Sequence, residues 1–273
     1  YLHFVLLPFL VFIVYSNTLN HQYAGDDVIV VVENERVQQG LKDLSSFFKN
    51  IKTEQTQHRY GYRPIALLSF AIDVELFGLS PQKAHLANLL YYSVLCILVF
   101  AFTRKVFPNI KWTSILLLSL IFLVHPLHSE VVSNIKSRDQ ILALIFGLLA
   151  LMAFLKWLET SKWYYVLFAL FLFVLAFLSH ESAVGLVLFS AVLPLFNKRG
   201  KQQLKFAGIG LAVFSSIISL YLFTQSILES NSIELYQKGM FHEDRFAANP
   251  MVDASFFSRL GNAFLILFLS IKL

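Results

Sequence analysis

Four short stretches carry most of the reactive chemistry in this chain. "YAGDDVIVVVEN" sets Asp26 beside Asp27. Adjacent carboxylates repel, which favours a raised pKa in one of them. A carboxylate just outside a membrane is suited to take a proton from a hydroxyl. The same pair could instead cap a helix or sit in a solvated turn after Gly25. "HPLHSEVVSNIKSRD" offers His125, His128 and Glu130, followed by Lys136 and Arg138. Imidazole and carboxylate suit zinc or manganese. This spacing matches no standard metal signature, so a divalent metal is admitted but not required, and no other cofactor is implied. Arg138 cannot lose its charge and forks well onto phosphate oxygens; its other reading is an interfacial anchor that snorkels. "LSHESAVG" puts His180 and Glu181 between two apolar runs, where ionisable groups are functional candidates or a short capped turn. "HRYGYRP" places Arg63 in an aromatic and basic cluster, a pocket wall or an interfacial aromatic belt.

These residues need elements to hold them, and the composition says which kind. Of 273 residues, 57% are hydrophobic and 14% charged, where soluble domains carry roughly 25% charged. The chain therefore reads as an integral membrane protein: an all-α, polytopic helical bundle. Apolar runs at 1–18, 83–104, 111–127, 139–158, 163–179, 182–197, 206–225 and 256–271 give about eight spans. Residues 19–82 form a long first outer loop, in which 40–50 and 63–78 are expected as amphipathic helices on the membrane surface. Residues 226–255 form a second outer loop. Short inner loops carry nine Lys or Arg against four in the outer ones, which favours an inside N-terminus. All four chemical stretches then emerge on the outer side.

The single cysteine, Cys96, excludes an intrachain disulfide. The basic residues lie in short loops and one long polar segment, which excludes nucleic acid as a partner. No Walker motif, dinucleotide fingerprint, HExxH or Gly-x-Ser-x-Gly is present. The chain begins and ends in hydrophobic runs without an initiator Met, so residues 1–273 are expected to be one transmembrane domain of a longer protein.

The order of "YSNTLNHQYAGDDVIVVVEN", "YRPIALLSFAIDVELFGLSPQKAHLANLLYY", "HPLHSEVVSNIKSRDQILALIF" and "LSHESAVGLVL" resembles the TMTC-type O-mannosyltransferases and their bacterial relatives, members of the GT-C glycosyltransferases. The resemblance covers roughly residues 10–195. It implies a multi-pass enzyme of a bacterial inner membrane or the endoplasmic reticulum. Such an enzyme moves a mannose-like sugar from a polyprenyl-phosphate donor to an acceptor hydroxyl, on protein Ser/Thr or a glycan. It implies that Asp26 or Asp27 is the base. Arg63, His125, His128, Glu130, Arg138, His180 and Glu181 would then surround the donor's phosphate and sugar. Relatives often carry Lys where this chain has His180. Further subunits are left open. Two other classes compete. A transporter or channel subunit would place charges at mid-membrane with inverted repeats, and neither is visible. A non-catalytic scaffold would have lost the Asp pair, which is present.

Overall fold

The computed structural model describes residues 2–48, 60–193 and 208. The chain divides by backbone contacts at residue 218, and every described residue lies in the unit Tyr1–Ile218. The expected spans 206–225 and 256–271 and the second outer loop 226–255 fall outside the described residues, except for Gly208.

Every regular element among the described residues is helical. The helices are α1 (Leu2–Tyr15), α2 (Glu35–Gln38), α3 (Pro64–Phe77), α4 (Pro81–Val106), α5 (Trp112–Leu123), α6 (Pro126–Ser133), α7 (Arg138–Thr160), α8 (Trp163–Ser179) and α9 (Val184–Val192). Among the described residues, three helical stretches are long and apolar enough to cross a membrane: His3–Asn20, Pro81–Val106 and Ile135–Thr160. A fourth is the pair α5 and α6, if its 60° bend is counted within one span. α8 is apolar but shorter. The expected span at 111–127 thus stops early. Pro126 cannot donate a backbone hydrogen bond and starts a new helix, in which His125 caps the N-terminus by accepting from Leu127 N–H at 3.3 Å.

The bundle grows by neighbour packing. α7 packs most extensively on α8, its partner across the two-residue turn at Ser161 and Lys162, and also on α4, which in turn carries α1 and α5. Ser161 adopts a left-handed conformation with φ 57° and ends α7. α1 and α8 leave Phe4, Val5, Phe9, Trp163, Leu167 and Phe171 exposed, as lipid-facing helices require. At the end of the bundle where α4 and α7 meet their neighbouring loops, Lys105 pairs with Glu159 at 3.0 Å.

Much of the 19–82 segment is a folded cap. Val30, Val31, Val37, Phe47, Tyr60, Leu67 and Phe70 form one core with Ala84 and Ile135. A π-helical turn, Val28–Val32, supplies the first of these. α3 fills the expected 63–78 helix and packs Ala66, Leu67, Phe70 and Ala71 into this core. The expected helix over 40–50 is reduced to a 3₁₀ turn, Leu44–Phe48, with residues 49 and 50 outside the described set. The reason is local. Gly40 has φ 63°, and the Asp43 carboxylate accepts from Ser45 N–H (3.1 Å) and Ser46 N–H (3.3 Å), a turn that competes with helix.

Candidate active site

Asp27 is the first anchor. It is 3% exposed, and its carboxylate accepts the backbone N–H of Lys136 at 2.7 Å, with Ile135 and Ala24 also bonded to it. Burial pushes its pKa up, those backbone bonds pull it down, and the Asp26 charge adds a smaller upward push. Asp27 thereby pins the turn that leads into α7 onto the first loop. Asp26 points the other way: its side chain is 57% exposed and paired with Lys136 Nζ.

Tyr60 connects this pair to the next. Its hydroxyl donates to the Lys136 carbonyl at 3.3 Å, and its ring lies 5.1 Å from the Arg63 guanidinium. Burial pushes the phenol well above its ordinary pKa, with the nearby Asp139 charge adding to that, so it stays a neutral donor. Arg63, just before α3, is held by two carboxylates. Nη1 donates to Asp139 Oδ2 at 2.5 Å; Nη2 and Nε donate to Glu181 Oε1 and Oε2 at 2.7 and 3.2 Å. Burial works to lower the arginine's pKa, and the Asp139 and Glu181 charges outweigh it. Asp139 sits in the first turn of α7 with 1% exposure, where the helix dipole favours a negative charge.

His180 ends α8 and caps the 3₁₀ turn Glu181–Ala183. Ser182 N–H donates to its Nδ1 at 3.0 Å. Nδ1 is therefore the acceptor, and the proton of the neutral ring sits on Nε2, 3.8 Å from Glu181 Oε1. Burial lowers its pKa from the ordinary 6.5, and the Arg63 charge pushes the same way. Glu181 experiences an upward push from burial that is overcome by a backbone bond and by Arg63, so its pKa falls.

Four sequence blocks thus meet in one array that runs Asp27, Asp26, Lys136, Tyr60, Arg63, Asp139, Glu181, His180. Four of the expected site residues stay apart from it: His125, His128, Glu130 and Arg138. His128 Nδ1 lies 2.7 Å from the Phe122 carbonyl, which can only accept, so that nitrogen carries the proton; the Tyr92 hydroxyl is 3.0 Å away. His125 caps α6, and Glu130 is exposed. No group of three or more His, Cys, Asp or Glu among the described residues is arranged to hold a metal ion.

Arg138, expected at the interface as phosphate ligand or anchor, is 0% exposed. It donates to Asn88 Oδ1 (2.7 Å), the Ala84 carbonyl (3.0 Å) and the Ser69 carbonyl (3.3 Å), pairs with Asp73 at 2.6 Å, and has the Phe70 ring 4.6 Å away. Its donors are taken by α3 and α4, and solvent does not reach it. Asp139 and Tyr60 were not singled out from sequence. The available signal was the adjacency Arg138–Asp139: at helical spacing, neighbours face different partners.

The fold and this array define a membrane protein, all-helical among the described residues, with a polar cluster built from four separated segments. Comparison with known proteins places it more closely. The chain is 29% identical over 205 residues to protein O-mannosyl-transferase TMTC1 of Mus musculus, covering 69% of this chain. It is 30% identical over 193 residues to tmtc2 of Xenopus laevis (67% of this chain) and 25% identical over 198 to Tmtc1 of Drosophila melanogaster (71%). The chain belongs to the TMTC-type family. It spans 21% of the mouse protein's length and 23% of the frog protein's. No protein-family model and no solved structure matches it.

Proposed function

We propose that this chain forms the membrane-embedded catalytic part of a GT-C-type glycosyltransferase that moves a mannose-like sugar from a polyprenyl-phosphate donor to a protein hydroxyl. The relatives are named protein O-mannosyl-transferases. The observation that carries the reading is the array itself, in which an exposed carboxylate, Asp26, and a forked cation, Arg63, share one surface.

Asp26 is the general base: it is the accessible member of the pair, with Lys136 Nζ beside it. Asp27 is a positioning residue that fixes the Lys136 backbone. Arg63 takes the phosphate, whose negative charge grows as the sugar departs; stabilising developing charge is the effective form of electrostatic catalysis. Attack by the hydroxyl oxygen on the anomeric carbon forms the new glycosidic bond as the phosphate–sugar bond breaks. The hydroxyl proton passes to Asp26, and the electron pair leaves with the lipid phosphate. This single displacement inverts the anomeric centre. Arg138 acts from below, by tying α3 and α4 to the start of α7, and not as a ligand.

The test is transfer of radiolabelled mannose from polyprenyl-phosphate mannose to a Ser/Thr peptide by the protein in nanodiscs. Transfer that is lost in Asp26→Asn supports the reading. An inactive wild type, or an active Asp26→Asn, overturns it.

A further inference from the structure

We propose that the Nε–Nη2 edge of Arg63 is a seat for the phosphate of a polyprenyl phosphate, and that Glu181 fills it as a place-holding anion until that phosphate displaces it. The inference rests on the lipid-phosphate donor of the reading above.

The two carboxylates on Arg63 are not equivalent. Asp139 takes Nη1 from the first turn of α7 and is 1% exposed, so it is fixed. Glu181 takes Nη2 and Nε at 2.7 and 3.2 Å, a two-point fork onto two oxygens of one anion. That is the geometry a phosphate uses on arginine. The Glu181 side chain is 56% exposed, and it stands on the one-turn segment Glu181–Ala183. An exposed ion pair is weak and opens at little cost, whereas breaking a buried one leaves a stranded charge. Arg63 is therefore oriented from its buried side and releasable from its exposed side.

Charge points the same way. Asp26, Asp27, Asp139 and Glu181 surround two cations, Arg63 and Lys136. An incoming phosphate added to that set would be repelled. A phosphate that takes the place of Glu181 exchanges one anion for another and leaves Arg63 paired throughout. The Lys136–Asp26 pair beside it has the same layout, with an exposed carboxylate on a half-buried cation.

The experiment is equilibrium binding of farnesyl phosphate to the full chain in nanodiscs, with farnesol and inorganic phosphate as comparison probes. Glu181→Gln keeps the side chain's size and removes the competing charge. It should tighten farnesyl phosphate about two- to fivefold, the scale of one exposed ion pair, and leave farnesol unchanged. Arg63→Lys, which loses the fork, should weaken binding about tenfold or more and abolish the gain from Glu181→Gln in the double variant. Binding in Glu181→Gln that equals or falls below wild type overturns the place-holder and leaves the donor reading intact. Farnesyl phosphate that binds no better than farnesol in either protein overturns both. An equal gain for inorganic phosphate makes the seat a free-anion site and overturns the lipid assignment.

Discussion

Asp26 and Asp27 differ in direction more than in chemistry, and that divides their roles. Asp26→Asn should cost on the order of 100-fold in turnover with an unchanged unfolding temperature. Asp27→Asn should cost about 1–2 kcal/mol of stability, because a charged acceptor of the Lys136 backbone bond is lost. Thermal unfolding in detergent beside a transfer assay separates the two. His180 gives a pH prediction. Its folded pKa lies below the ordinary 6.5, so between those values the unfolded chain binds more protons. Its contribution to stability is complete above about pH 6.5 and declines as pH falls, because protonated Nδ1 no longer accepts from Ser182 N–H. Losing such a cap is worth about 1 kcal/mol locally. His180→Asn, which keeps an accepting side chain, should flatten this acid dependence in hydrogen exchange of residues 182–186.

The elements explain what the sequence could and could not show. The apolar runs that became α1, α4, α7 and α8 were readable because lipid demands length and hydrophobicity together. Pro126 announced the break after α5. The array was only half readable. Asp26, Asp27, Arg63, His180 and Glu181 stood out as charges beside greasy segments, whereas Asp139, in the first turn of α7, carried no local signal of its partner Arg63. Arg138 read as phosphate ligand or interfacial anchor, since a lone arginine at a span end has no visible partner until Asp73 arrives from α3, 65 residues earlier. Long-range pairing of that kind leaves no trace in local spacing. It also makes a prediction. Arg138→Met should destabilise by about 3–5 kcal/mol, because Asp73 is stranded, and adding Asp73→Asn should recover much of that loss. A snorkelling anchor would show neither effect.

At the scale of the molecule, the array requires the loops before α4, before α7 and after α8 to share one side of the membrane. Cysteines placed at Gln82 and Ser182 in a Cys96→Ser background should react with an impermeant thiol reagent from outside. One at Ser161, in the turn between α7 and α8, should react only from inside. All three positions are exposed. Labelling of Gln82 and Ser182 from opposite sides would break the topology and the shared surface together.

The bend between α5 and α6 has its own consequence. Where α5 stops, the Leu123 carbonyl accepts from Tyr15 (2.9 Å) and Tyr92 (3.0 Å), and the Phe122 carbonyl from His128. Hydrocarbon offers no water to a severed helix end, so these side chains are what make the break tolerable. Two of the three donors come from α1 and α4, which precede the bend in the chain. A ribosome releases them first. The broken segment therefore emerges beside partners that have already left the translocation channel, and its order of synthesis doubles as its order of assembly. Moving either tyrosine behind the bend, by circular permutation, would ask the same segment to enter lipid with its carbonyls bare.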